Sequence, residues 1–446
     1  MNRTDEFLSH LRSIGVKLWT EDNQIRYKAP KGVLTPALIT HMKEQKEEIL
    51  AFLHDANRAS NTHLPPIRPT SRGSTIPLSF AQERLWFLYQ LEGQTATYNV
   101  PETLLLTGTI HVTALERSIN NLIRRHEALR TTIGIKEGKT VQVIAPELTI
   151  PLPVVDLQML PKAERLPEAL RLAVDEANLP FDAMKGPLLR VSLLRLENQE
   201  HVLFLTMHHI VSDGWSKGIL TREMAVLYEA FSQGKPSPLS ELSIQYADYA
   251  SWQRQWMAGE MLETQLDFWK RRLNEAPPLL ELPADRSRPA IRSSHGGVLR
   301  FEIDHNLTKQ LNQLSKDADV TIFMTLLSVF TTLLYRYCDK EDIIIGTNTA
   351  NRTRAEIESV IGFFVNTLVL RIDLTGNPSF LELLRRVRQV ALEAYSHQDI
   401  PFEKLVEALQ PERSLSHNPL VQVMFLLQNA PMGSLELPGL VITPLE

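Results

Sequence analysis

The chain has 446 residues, and a prior of about 150 residues per domain predicts two or three folding units. Its composition, 43% hydrophobic and 22% charged, is that of a globular protein and excludes a disordered, collagenous or fibrous chain. The net charge of −5 comes without long runs of one sign, so no global field attracts a phosphate backbone and we expect no nucleic-acid partner. The single cysteine, Cys338, excludes an internal disulfide and a thiolate metal cluster.

No charged segment followed by an apolar one opens the chain, so we expect a cytoplasmic protein. The longest uncharged stretch, residues 320–335, is shorter than the roughly 20 apolar residues that a membrane helix needs. We therefore expect it to form a buried core helix, and we expect no membrane association.

Residues 1–58 are predicted to form a small domain with the order helix, strand, strand, helix. Apolar spacing indicates helices at 7–11 and 35–54, and residues 16–19 and 24–29 are predicted to be strands. The second strand would be an exposed edge that can accept an acidic extended segment by strand addition. A solvated charged surface is the alternative.

A Pro-rich linker is predicted at residues 59–75, and the main body at 76–446. Pro and Gly residues between 277 and 297 divide that body into an N-lobe of about 76–270 and a C-lobe of about 271–446. Each lobe is expected to open with a strand and a helix, at 103–106 and 112–125 in the first and at 298–303 and 307–314 in the second. This weak repeat suggests a duplicated α/β unit.

The strand pattern predicts an α/β fold of the α+β type, with mixed sheets. Residues 188–196 and 201–209 form a predicted hairpin, and we expect helices on one face of its sheet. The second strand ends in two histidines, His208 and His209, which must point to opposite faces because side chains alternate along a strand. One imidazole would then serve the chemistry and the other the architecture.

Four interpretations of this segment stay open from the residues alone. The histidines could be satisfied structural groups, or they could bind zinc, although no second His or Cys cluster accompanies them. Residues 214–218, with Ser216 at their centre, match the nucleophile elbow of a serine hydrolase. The fourth interpretation is an acyl transfer assisted by His209 as a base, with Asp213 orienting a ring or fixing the loop and Gly214 admitting substrate.

The HHxxxDG pattern at 208–214 resembles the condensation domains of nonribosomal peptide synthetases, which are relatives of chloramphenicol acetyltransferase. Six further segments resemble the other motifs of that family in the same order; they are residues 79–88, 125–131, 246–252, 361–367, 397–403 and 413–420. The resemblance implies two chloramphenicol acetyltransferase-like lobes that form a V-shaped pseudo-dimer around a central tunnel. It implies an acyltransferase that makes peptide bonds.

The implied donor is an aminoacyl, peptidyl or acyl thioester on an upstream carrier protein, and the acceptor is the α-amine of an aminoacyl thioester on a downstream carrier protein. Substrates are held on phosphopantetheine arms, and no cofactor or metal is implied. The catalytic candidates are His209, as general base or positioning group, and the Gly214 N–H. The implied supporting residues are His208, Asp213, Arg352 and Arg84, and the implied tunnel-lining residues are Ser216, Trp215 and Asn366.

Intact histidines exclude the heterocyclization subtype, in which aspartates replace them. Residues 212–216 resemble the class that joins an L-configured donor to an L-configured acceptor. A serine hydrolase or thioesterase using Ser216, and a noncatalytic recruitment platform of the same fold, remain alternatives. The chain stops about 20 residues after the last motif without an adenylation or carrier domain, so we expect it to be a piece of a longer subunit whose downstream adenylation domain is a partner.

Residues 1–58 resemble a TubC-type N-terminal docking domain, partly through residues 15–19. That resemblance implies that the domain captures the C-terminal tail of an upstream synthetase subunit along its second strand. The residues implied for this docking strand are Ile25, Arg26, Tyr27, Lys28 and Lys31.

Overall fold

The computed structural model describes residues 17–21, 24–28, 65–73, 75–293, 296–411, 414, 416–428 and 437–445. By internal contacts the chain divides into two compact units, Met1–Pro66 and Ile67–Glu446. In the first unit, β1 (Lys17–Glu21) and β2 (Gln24–Lys28) form an antiparallel hairpin, as the sequence predicts. The two helices predicted for this unit, the turn at 22–23, Lys31 and linker residues 59–64 and 74 lie outside the described residues.

The second unit is a mixed α/β fold. Its strands are β3 (Ile76–Pro77), β4 (Asn99–Gly108), β5 (Thr131–Lys136), β6 (Lys139–Ile144), β7 (Val154–Asp156), β8 (Leu189–Glu197), β9 (Glu200–His208), β10 (Asp342–Thr349), β11 (Asn366–Asp373) and β12 (Leu440–Pro444). Its helices are α1 (Phe80–Glu92), α2 (Val112–Arg125), α3 (Lys162–Asn178), α4 (Gly214–Ser232), α5 (Tyr246–Trp256), α6 (Gly259–Arg272), α7 (His305–Asp317), α8 (Ile322–Cys338), α9 (Phe380–Ser396) and α10 (Phe402–Leu409).

The largest sheet has the order β12-β4-β9-β8-β7. Only β7 runs parallel to its neighbour, and the β8–β9 hairpin and the mixed sheet agree with prediction. Along β9, Leu203, Leu205 and Met207 enter one core, whereas Val202 and Phe204 enter another.

The expectation that helices cover one face of this sheet is wrong. Helices α2 and α4 contribute to the core on one face, and α3 contributes to the core on the other. The physical reason lies in β9, where successive residues 202–205 are apolar and buried, so both faces of the sheet must be shielded from water.

A second large core is built around β10, β11, α6, α8 and α9. Two segments of the C-terminal half lie in the first core instead. Residues 357–364 contribute Ile357, Val360, Ile361 and Phe364, and β12 pairs with β4. The two cores are therefore not built from two consecutive stretches of the chain, whereas the predicted lobe boundary near residue 270 assumes that they are.

Two predictions in the C-terminal half require correction. Residues 298–303, predicted as a strand, do not form one, and Val298, Leu299 and Phe301 are more than 80% exposed, so they lack the burial of a strand in a core. The helix predicted at 320–335 is α8, but only one of its faces is buried, since Val329 and Leu333 are almost half exposed.

Among the described residues no single helix is long and apolar enough to cross a membrane; α7 and α8 pass that test only as a pair, bent by 105°.

Candidate active site

His208 is a buried structural histidine. It is the last residue of β9 and is 2% exposed, and its ring lies edge-on to Phe181 with centroids 6.0 Å apart. The N–H of Ile210 donates to His208 Nδ1 over 3.1 Å, so this nitrogen carries no proton and the ring is the neutral Nε2–H tautomer. Burial, with a smaller contribution from His209, lowers the pKa of His208 to about 4.

His209 lies just beyond the strand, at the start of a 3₁₀ turn, His209–Val211. Its backbone N–H donates to the carbonyl of Tyr98 over 2.8 Å, which holds the turn against the start of β4. Its Nδ1 lies 2.7 Å from the carbonyl oxygen of Ser212. Since a carbonyl only accepts, Nδ1 must donate, and the lone pair of the neutral ring is left on Nε2.

Asp213 is the N-cap of α4 and an anchor for a distant segment. Its Oδ1 accepts the N–H of Ser216 over 2.7 Å, and its Oδ2 accepts the N–H of Phe364 over 3.0 Å. Asp213 and Arg352, two of the implied supporting residues, form a buried ion pair in which Arg352 Nη2 lies 3.2 Å from Asp213 Oδ1 and both side chains are at most 1% exposed. The buried carboxylate thus joins α4 to the segment that follows β10.

Arg352 holds the other side of this junction. Its Nη1 donates to the carbonyls of Ile357 (2.6 Å) and Val360 (2.7 Å), and its guanidinium carbon lies 4.0 Å from the centroid of the Phe364 ring. Burial lowers the pKa of Arg352, although the charge of Asp213 opposes that effect. The network fixes residues 352–364 against the first turn of α4.

Ser216 does not line a substrate path, contrary to expectation. It is fully buried, and its Oγ lies 2.7 Å from Asp213 Oδ1, 2.9 Å from the Gly362 carbonyl and 3.1 Å from the Gly362 nitrogen. It sits in the third position of α4, and a hydroxyl enclosed in this way cannot act as a hydrolase nucleophile. The neighbouring Trp215 is half-buried and donates from Nε1 to the carbonyl of Glu358 over 2.9 Å.

Asn366, also expected to line the tunnel, is a buried structural residue. Its Nδ2 donates to the carbonyls of Gln398 (2.8 Å) and Ile400 (2.7 Å), and its Oδ1 accepts the N–H of Phe402 over 3.1 Å. These three bonds use both amide protons and one of the two lone pairs on Oδ1, and they fix the turn between α9 and α10.

Gly214 and Arg84 occupy more open positions. Gly214 is exposed and is the first residue of α4, where no carbonyl one turn earlier can accept its N–H. A Cβ at this position would meet no atom within 4 Å, so the space beside the backbone is open. Arg84, on α1, lies 3.7 Å from Glu403 and 5.1 Å from the centroid of the Phe402 ring, so it connects α1 with α10.

Two residues of the site were not singled out from the sequence. Phe363 is 8% exposed, and its ring centroid lies 4.7 Å from that of His209 at an interplanar angle of 62°. Tyr246, on α5, donates from its hydroxyl to the Phe363 carbonyl over 2.5 Å and lies 2.7 Å from the hydroxyl of Ser79. Both residues fall inside matched motifs, but nothing in the spacing indicated that these motifs meet.

The described residues include no group of three or more His, Cys, Asp or Glu side chains arranged to hold a metal ion. In the first unit, Ile25, Arg26, Tyr27 and Lys28 of the predicted docking strand lie on β2.

Comparison with known proteins identifies both units. Residues 73–437 match the family model of the Condensation domain, and residues 4–55 match that of the TubC N-terminal docking domain. The chain is 51% identical over 378 residues to one of the subunits of the linear gramicidin synthase of Brevibacillus parabrevis, an alignment that covers 85% of this chain and 7% of that protein. It therefore spans only a small part of such a relative.

Solved structures agree with this assignment. The X-domain in its complex with OxyB from teicoplanin biosynthesis is 30% identical, with a TM-score of 0.76 over 86% of this chain and 83% of that one. The cyclization-docking bidomain of EpoB from Sorangium cellulosum is 23% identical, with a TM-score of 0.69 over 99% of this chain and 88% of that one, and shows likeness of fold alone. The chain belongs to the condensation domains, the amide-forming acyltransferases of nonribosomal peptide synthetases, and it carries a TubC-type docking domain.

Proposed function

We propose that this chain transfers an aminoacyl, peptidyl or acyl group from an upstream carrier protein to the α-amine of an aminoacyl group on a downstream carrier protein. The observation that carries the proposal is the hydrogen bond from His209 Nδ1 to the Ser212 carbonyl. Because Nδ1 donates there, the lone pair of Nε2 stays available to the reacting amine. The proposed donor and acceptor both have the L configuration, and both substrates arrive on phosphopantetheine arms.

In the proposed reaction the neutral amine attacks the thioester carbonyl carbon, so that a C–N bond forms and the C–S bond then breaks. His209 Nε2 takes or holds the proton that the amine loses, and that proton reaches the leaving sulfur to give the thiol. The N–H of Gly214, at the first position of α4, supports the developing oxyanion. Alignment of the two tethered substrates supplies much of the remaining rate enhancement, because the reacting groups are already held in the right geometry.

The test uses donor and acceptor carrier proteins, each loaded with its thioester, with mass spectrometry of the product. His209→Ala should lower the rate of amide formation at least about 100-fold, the usual scale for loss of a positioned base, while the thermal melting temperature stays unchanged. His111→Ala is the matched control, because His111 is exposed at the start of α2. Near-normal product from folded His209→Ala would overturn the proposal.

The likeness to an X-domain favours one second function, the recruitment of a partner protein without acyl transfer. The same assay separates the two functions, because a recruitment platform would give no product with the unaltered chain.

We propose further that the docking domain captures an acidic C-terminal tail of the upstream subunit along β2, assisted by the cations Arg26, Lys28 and Lys31 of the sequence. Charge reversal at these three positions should lower product only when the donor is supplied on the upstream subunit.

A further inference from the structure

The His209 imidazole is supported on a second side by an aromatic ring from far along the chain. Its hydrogen bond to the Ser212 carbonyl fixes Nδ1. A single hydrogen bond at that edge of the ring does not fix Nε2 at the opposite edge. The Phe363 ring stands tilted against the imidazole with centroids 4.7 Å apart, a geometry favoured by the quadrupoles of aromatic rings. We propose that Phe363 is a positioning residue that holds Nε2 of His209 where the acceptor amine arrives, an inference that rests on the proposed function.

The backbone around Phe363 is anchored at three successive residues. The Gly362 nitrogen and carbonyl both lie within 3.1 Å of Ser216 Oγ, the Phe363 carbonyl accepts the hydroxyl of Tyr246, and the Phe364 N–H donates to Asp213. All of these anchors are buried.

Two of the anchors belong to the first turn of α4, which follows His209 within a few residues. The ring of Phe363 and the imidazole of His209 are therefore held to the same piece of backbone, although they come from sequence positions about 150 residues apart. Such a shared support keeps the distance between the two rings constant even if more remote parts of the fold move.

Removal of the ring should affect the reaction step more than substrate binding. With Phe363→Ala a space opens beside the imidazole, which can then tilt or admit water. A displacement of about 1 Å in a reacting group costs on the order of 100-fold in rate. We expect kcat to fall about 10- to 100-fold, and KM for the loaded acceptor carrier to stay within about twofold.

The experiment compares Phe363→Ala, Phe363→Leu and Phe268→Leu in the 446-residue chain. Leucine restores most of the lost volume, so Phe363→Leu should recover most of kcat. Phe268 is the matched control, because its ring stacks on another histidine, His397, with centroids 3.6 Å apart and outside the site. A change in KM alone, or an equal loss of kcat in Phe268→Leu, would overturn the inference.

An activity-independent measurement completes the test. The protein is labelled with ¹⁵N and ¹³C at histidine, and the NMR signals of the His209 ring are assigned by their loss in His209→Ala. These signals should shift in Phe363→Ala, because the ring current of Phe363 is gone. Unchanged His209 signals contradict the inference. If His209→Ala is inactive while Phe363→Ala is normal, only this inference fails; if His209→Ala is active, the proposed function fails.

Discussion

Acidification should destabilise this protein through His208 in particular. The imidazole is only 2% exposed, and its Nδ1 must stay unprotonated to accept the Ile210 N–H. Burial lowers its pKa to about 4 from the ordinary value of 6.5. As the pH falls, the unfolded chain therefore takes up a proton near pH 6.5 and the folded chain only near pH 4, so stability is lost across that window.

The size of the effect follows from the shift, since one pKa unit is worth about 1.4 kcal/mol. Between about pH 7 and about pH 4.5, His208 should remove about 2 kcal/mol from the free energy of unfolding. The comparison variant is His208→Asn, whose side-chain oxygen can accept the Ile210 N–H but does not titrate.

Urea unfolding of both proteins, followed by tryptophan fluorescence at the two pH values, gives the difference directly. Other groups that titrate contribute equally to both proteins and cancel. We expect the variant to lose about 2 kcal/mol less than the wild-type chain on acidification. An identical loss in the two proteins would refute the assignment of His208 as a neutral buried acceptor.

Two further substitutions test the junction around residues 352–364. Gly362→Ala places a Cβ in steric overlap with the ring of Tyr246, which is buried and hydrogen-bonded, so unfolding by urea should show a loss of about 1–3 kcal/mol; Gly297→Ala, in open space, should stay within about 0.5 kcal/mol. Arg352→Met leaves its buried carboxylate partner uncompensated and should cost about 3–5 kcal/mol. Arg124→Met, which breaks an exposed pair, should cost at most about 1 kcal/mol in the same assay, and equal costs for the two arginines would contradict the role of burial.

Local sequence rules predicted those parts of the fold whose structure depends on near neighbours. The β8–β9 hairpin is visible in the sequence as two apolar runs separated by a polar turn. The prediction that His209 lies on the same strand as His208 is wrong, because β9 ends at His208 and His209 begins a 3₁₀ turn, where the alternation of side chains along a strand no longer applies.

Contacts between distant segments could not be predicted in the same way. Ser216 and Asn366 have the residue types of substrate-lining groups, yet each is enclosed by backbone groups from other parts of the chain. Residues 298–303 alternate like a strand, but alternation describes a surface and not the partner that must pair with it. The packing of Phe363 on His209 likewise depends on a contact across about 150 residues, for which spacing carries no signal.

Most polar groups of the HHxxxDG segment are used to hold the site together rather than to react. His208 bonds within its own turn, and the carboxylate of Asp213 at once caps α4, pairs with Arg352 and receives the Phe364 N–H. Substitution of Asp213 would release all three contacts, and through Phe364 it would loosen the ring that supports His209. Loss of activity in an Asp213 variant is therefore expected without any contact between its carboxylate and the substrate, and only kcat measured per folded molecule can distinguish a reacting group from one that holds the reacting group in place.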